Sequence, residues 1–600
     1  MKMKNLNIYI IGLLTLMLCG IQSCALESEV FDEITPSIYP QTERDVRDLV
    51  TGNAYSPFQN YDYGGLYNVA NGVMLISDMA TEYGFCSWGG WIWEPLEFAR
   101  WTPSDEDRIA YPWTNYLKGI SKMTLTIDRI TNVNMNKDLL NQYIAELRCA
   151  RGFLAFLLYD LYGPIIVADL ETLKNAEDEI ILPRLSEEET HNFIVTELTE
   201  AAKVLPYSYD KSSSDYGRFT KGLCHMVLLK FYMQTKQWDK AITEARELQK
   251  PEYKYALVTD KGAERSAYAN IFTYANEKNS ETIWSVNCLT GYQVHLWYPH
   301  VMPSNLKASD AGRFDGGWGG YKMTWKFFKT YEDGDERKQT IISEYDTWEG
   351  TTLNETNKGV GSNSLQDGVI PLKYKIESNN AGNQCQTDWI VYRYADVLTL
   401  LAEAIVREGN TVTTEAINLL NQVRTRAGLT AYTASSFSSA RDFLDKLLIE
   451  RAHEFYFEGC RRQDLIRDGS YVATMKQKCT DYGQVSIINE NYHRFPIPES
   501  AIIAGQGIIK QNPGYSSSHI FKLKEEVVHQ HYFKVDILMY TPQLIIYHEI
   551  YCSFSASPVE EHRASLTMLL YVFQPAILPI DERSHQLRSR LAIQQIRSTA

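Results

Sequence analysis

Apolar residues recur at three- and four-residue intervals over long stretches of this chain, the period of helices that bury one face. Ile144, Leu147, Phe153, Leu154, Leu157, Leu158 and Leu161 form one such stripe, and Gly163-Pro164 ends it. Ser186 and Glu189 make a capping box ahead of Ile194, Leu198, Ala202 and Leu205, and Pro206 closes that run. The two segments predict an antiparallel helix pair. A second pair is predicted from Gly222 to Pro251. There Leu229, Tyr232, Ala241, Ala245 and Leu248 fall close to the tetratricopeptide pattern, in which small residues let two helices approach. Trp238-Asp239-Lys240-Ala241 reads as the turn and the start of the second helix. Ala395 to Gly428 predicts a third pair, broken at Gly409-Asn410. A further helix is expected from Ser439 to Phe457, with Gly459 as its terminator. Only short segments such as Ile283 to Asn287 look like strands.

Between the helical stripes, residues 51–115 and 285–390 lose the period and become rich in Gly, Asn, Trp and Tyr. Loops of that length carry function or lie disordered, and their aromatic content argues against disorder. The pattern therefore predicts a mainly α fold: a tetratricopeptide-like scaffold of helical pairs, with long aromatic-rich loops forming a ligand-binding face.

The first residues change the setting. Lys2 and Lys4 precede an apolar run from Ile8 to Leu18, too short to span a bilayer but suited to a secretory signal. Ile21-Gln22-Ser23-Cys24 follows, which looks like a bacterial lipoprotein signal with Cys24 as the acylated new N-terminus. Glu27, Glu29, Asp32 and Glu33 then form an acidic tether. No later segment reads as a membrane helix. The net charge of −15 argues against nucleic acid as a partner, because phosphate binding needs a basic footprint. The eight remaining cysteines are scattered and form no C-x-x-C pair, so isolated buried thiols are expected for most of them.

Catalytic signatures are few. His453-Glu454 lacks the second histidine of a zinc protease helix, and neither a nucleophile elbow nor a phosphate-binding glycine loop is present. His529 and His531 lack an evident third metal ligand. No cofactor and no metal is expected. The aromatic clusters are more distinctive. Residues 86–93 place Trp88, Trp91 and Trp93 beside two glycines, and residues 313–321 place Arg313, Trp318 and Tyr321 among four. Trp297 precedes the second set. Flat aromatic faces with a few polar neighbours suit the C–H faces and hydroxyl edges of sugars; they also suit peptides and protein interfaces.

The C-terminal half carries more specific motifs. Residues 448–467, L-I-E-R-A-H-E-F-Y-F-E-G-C-R-R-Q-D-L-I-R, resemble a block of the SusD/RagB family of Bacteroidetes surface lipoproteins. Three further segments agree with that family in the right order: Y-R-Y-A-D-V-L-T-L-L-A-E-A at 392–404, L-L-N-Q-V-R-T-R-A-G at 419–428, and F-P-I-P at 495–498 with Q-N-P-G-Y at 511–515. The charged residues of the first block are read as scaffold pairs, not ligand contacts. The resemblance implies a non-catalytic nutrient-binding protein, lipid-anchored and exposed on the outer membrane. It would capture oligosaccharide, or alternatively peptide, and deliver it to a SusC-like TonB-dependent transporter; a surface glycosidase is the weakest reading. It also implies that ligand contacts come from the loop aromatics, here Trp88, Trp91, Trp93, Trp297, Trp318 and Tyr321, with Arg313 as a polar partner.

The expected organisation is a signal peptide at 1–23, a tether at 24–40, a nutrient-binding domain at 41–515 and an extension at 516–600. Family members usually stop near the Q-N-P-G-Y segment. The extension holds none of the chain's 35 glycines or 12 tryptophans but six of its 12 histidines, and no function is assigned to it.

Overall fold

A computed structural model of the chain describes residues 39–515 apart from 60–71, 90–92, 176–179, 308–316 and 378–383, together with strands at 532–541, 544–553, 569–572 and 576–578. The chain divides between Ser517 and Ser518 into two compact units. Cys24, Trp91, Arg313, His529 and His531 lie outside the described residues.

The first unit is a stack of helices. The principal ones are α1 Glu43–Gln59, α2 Val73–Met79, α3 Tyr111–Ile130, α4 Lys137–Tyr162, α5 Glu187–Val204, α6 Lys221–Gln234, α7 Trp238–Leu248, α8 Trp297–Val301, α9 Tyr394–Gly409, α10 Thr414–Arg426, α11 Ala440–Glu454, α12 Arg461–Asp468 and α13 Tyr471–Asp481. Helix α4 packs on α5, α6 on α7 and α9 on α10, the three pairs that the periodicity predicts. The capping box at Ser186 is formed in both directions. Gly152 on α4 shows why a small residue is needed there: a Cβ would stand 2.7 Å from Leu198 Cγ on α5. Adding a side chain would push the pair apart.

Two expectations are corrected. Helix α11 ends at Glu454, and Gly459 is not its terminator. Gly459 instead lies where the chain crosses α2, its Cβ position 3.0 Å from Met74 Cα and its amide donating to Asp78 Oδ2 at 2.7 Å. The loop at 51–115 also contains α1 to its end, α2 and the start of α3. All seven residues of α2 are buried, so the segment shows no polar face from which to read a period.

The strands of the first unit are short. In the first unit β1 Gly84–Cys86 pairs antiparallel with β3 Tyr321–Met323, β2 Thr282–Val286 with β6 Trp389–Arg393, and β4 Tyr345–Asp346 with β5 Thr352–Leu353. In the second unit β7 Tyr532–Thr541 and β8 Leu544–Ser553 form an antiparallel hairpin, and β9 Leu569–Val572 and β10 Ala576–Leu578 each pair with β8.

The motif charges are buried and paired. Glu454 binds Arg337 at 3.3 Å, Arg393 at 2.6 Å and Arg426. Glu458 binds Arg393 at 2.8 Å and Lys373 at 2.5 Å. Arg451 bridges Asp396 and Asp464, each at 2.7 Å, while Arg467 holds Glu403 at 2.7 Å. These contacts tie α9, α10, α11 and α12 together through charge-assisted hydrogen bonds. Burial opposes ionisation of Glu454, yet the guanidiniums of Arg426, Arg393 and Arg337 hold its carboxyl down to about 2. The motif is thus part of the scaffold.

Candidate functional site

The β1–β3 pairing brings the two tryptophan clusters together. Its register sets Cys86 opposite Tyr321 and Gly84 opposite Met323. Because the strands are antiparallel, the loop leaving β1 and the loop entering β3 emerge at the same end. Ser87 N donates to Gly320 O at 2.7 Å, and Trp88 Nε1 donates to Trp318 O at 2.8 Å. The Trp318 loop is fixed from below, with Trp318 N donating to Pro299 O at 2.6 Å and Gly319 N to Met302 O at 2.9 Å. Gly320 has no side chain for a clear reason: a Cβ would lie 2.4 Å from the Trp88 ring.

The predicted residues divide by exposure. Trp88 is 38% exposed and Trp318 44% exposed, with ring centroids 6.5 Å apart and planes inclined at 53°. Together they form an open aromatic angle. Trp93, Trp297 and Tyr321 are buried, at 4%, 2% and 0% exposure, so they do not offer a face to solvent. They support the pair instead. Tyr321 lies 5.4 Å from Trp88, and Trp93 meets its ring edge-on at 5.2 Å. Trp297 anchors one layer deeper through Nε1 to Leu372 O at 2.9 Å. Loop tryptophans close over their own core whenever apolar neighbours are available, because each ring buries a large area.

His300, at the end of α8, is the residue that sequence reasoning missed. It stacks on Tyr321 at 5.1 Å and meets Trp318 at 4.7 Å and Trp88 at 5.4 Å. Nδ1 lies 2.7 Å from Leu296 O, and since a carbonyl only accepts, Nδ1 carries the proton. Burial pushes the imidazole down to about 4, so the ring under the platform is neutral at pH 7. A histidine isolated in the sequence gives no signal of this placement. Nearby charges are also restrained. Cys86 N donates to Glu97 at 2.6 Å, and burial raises that carboxyl to about 7. Arg108 lies over the Trp93 ring at 4.6 Å. Among the described residues no group of three or more His, Cys, Asp or Glu side chains converges as a metal site would require.

Residues 280–515 match the model of the SusD family, and residues 58–233 match a second model described as starch-binding and associating with outer membrane. The chain belongs to the SusD family. SusD-like protein P38 of Formosa agariphila is 25% identical over 390 residues, covering 60% of this chain and 73% of its own. The starch-binding protein SusD of Bacteroides thetaiotaomicron is 32% identical over 133 residues, 22% of each chain. Among solved structures, surface glycan-binding protein A from Bacteroides fluxus aligns with a TM-score of 0.64 at 23% identity, covering 79% of this chain and 100% of its own. Its counterpart from B. thetaiotaomicron, solved in complex with laminarihexaose, aligns at 0.62 and 21% identity with the same coverage. These structures share the helical fold of this SusD family member.

Proposed function

We propose that this SusD family protein captures oligosaccharide or polysaccharide at the cell surface and delivers it to a SusC-like TonB-dependent transporter, without cleaving it. The observation that carries the reading is the exposed Trp88–Trp318 pair, held open over a buried floor of His300 and Tyr321. Aromatic rings in a well-packed site normally cover one another; two half-exposed indoles on fixed backbone are a surface shaped for a flat apolar face. The family model described as starch-binding, and a neighbour solved with laminarihexaose, support glycan over peptide. Trp91 and Arg313 belong to the same two loops and are proposed as further contacts; Trp93, Trp297 and Tyr321 act by support. The Cys24 lipoprotein signal supports anchoring at the outer membrane, and the domain boundaries at 24, 41 and 516 are part of this proposal.

Calorimetric titration of the full chain against a panel of polysaccharides and peptides tests the reading. Binding of at least one polysaccharide, lost in a Trp88→Ala/Trp318→Ala double variant that melts like the parent, is expected. Binding of peptides alone would overturn it.

A further inference from the structure

We propose that a polar cleft in the helical scaffold binds a small, neutral, polyhydroxyl ligand of the size of a free hexose. It goes beyond glycan capture at Trp88 and Trp318 and does not depend on it. The cleft holds about 380 Å³ and lies where α4, α6 and α12 end, with the turn at Glu490–His493 adding to its wall. It shares no lining residue with the aromatic pair. Its floor is buried. Gln234 Nε2 donates to Asp160 Oδ1 at 3.0 Å, which leaves Asp160 Oδ2 and Gln234 Oε1 as acceptors with no hydrogen-bond partner among the described residues. Asp160 is only 4% exposed. The nearest cation to it is Arg462, whose Nη1 is 3.7 Å from Asp160 Oδ2, too far for a hydrogen bond. Arg467 gives Nε and Nη2 to Glu403 and Asp464, so Nη1 is the donor it has left for the cleft.

Unmet buried acceptors are costly, and a hydroxyl meets them because it donates and accepts at once. The charges favour a neutral ligand. Arg494 is paired with Glu187 at 2.7 Å, and Asp160 faces Arg462. Lys236 and Glu490 are both exposed on the rim and have opposite signs, so a charged ligand would be attracted by one and repelled by the other. Lys236 holds its place in the left-handed conformation just past the end of α6, with φ of 58°, where a glycine is more at ease. The size also agrees. At roughly 30 Å³ per water, 380 Å³ is room for about a dozen waters, and a hexose has about twelve non-hydrogen atoms. One rigid ring that replaces ordered waters keeps their hydrogen bonds and releases them to the solvent. Stacking is not on offer here. The Tyr159 ring in the wall is 7% exposed, with the Arg494 guanidinium over it at 5.5 Å and His191 edge-on at 4.9 Å. The cleft therefore reads hydroxyl edges, where the tryptophan pair reads ring faces.

The test titrates the full chain with glucose, galactose and mannose, and with free serine and glutamate as charged comparisons, by calorimetry and saturation-transfer NMR. At least one hexose should bind, and the Trp88→Ala/Trp318→Ala double variant should retain that binding. Asp160→Asn, which keeps the shape but puts an amide donor where a bare acceptor stood, should weaken it about tenfold. Lys236→Gly suits the left-handed backbone, so it keeps the fold, and it should weaken hexose binding roughly three- to tenfold. Both variants should bind polysaccharide like the parent. Loss of hexose binding in the double tryptophan variant puts the sugar at the loop face and overturns the cleft. Unchanged binding in Lys236→Gly and in a folded Asp160→Asn overturns it too, as does a parent chain that binds only the amino acids or none of these ligands. Failure to bind any polysaccharide, with hexose binding intact, overturns glycan capture and leaves the cleft in place.

Discussion

At the scale of single residues, the platform depends on what stands behind the exposed rings. Gly320 leaves room for the Trp88 ring, so Gly320→Ala should tilt that ring and weaken glycan binding, with only a small change in melting temperature. Calorimetry and the tryptophan emission maximum check this together; unchanged affinity would mean that Trp88 does not set the geometry. His300 adds a pH dependence. Its folded pKa near 4 lies below the usual 6.5, so between those values the unfolded chain takes up a proton that the folded chain refuses. Stability therefore falls as pH drops from about 6.5 to about 4, by on the order of 3 kcal/mol for this group. His295, held by burial at about 3, acts in the same direction. Urea unfolding between pH 4 and 8 should show this slope, and His300→Phe should make it shallower, leaving the part that His295 contributes.

At the scale of elements, the buried charges decide how the C-terminal helices meet. Glu454 faces three guanidiniums, and among the described residues no other acid pairs with all of them. Glu454→Ala should cost roughly 3–5 kcal/mol, because it leaves buried cations undercompensated. Chemical denaturation measures that loss; a change below about 1 kcal/mol would mean that the network is redundant. The helical pairs themselves were legible in the sequence, since a stripe at period 3.6 and a capping box are local signals. The end of α11 and the role of Gly459 were not, because α2 comes from a segment almost four hundred residues away in sequence and meets the chain only in the fold.

At the scale of the molecule, two predictions concern the ends. A chain truncated after Ser517 should melt and bind glycan like the full chain, since residues up to Ser517 form a compact unit of their own. A lowered melting temperature on truncation would give the extension a structural role. Cys24→Ala should move the protein from the membrane fraction to the soluble one; retention in the membrane would argue against the lipid anchor.

The sequence by itself determined the helical pairs, the family motifs and the presence of two aromatic loops, because periodicity, capping and composition are properties of neighbouring residues. It could not sort the tryptophans. Trp88, Trp93, Trp297 and Trp318 look alike as letters, yet two are half exposed and two are core. That division was decided by the β1–β3 register and by α8 passing beneath it, which supply buried partners to some rings and none to the outer faces of others. Burial depends on neighbours that are distant in sequence, so the shape of the binding face belongs to the tertiary structure alone.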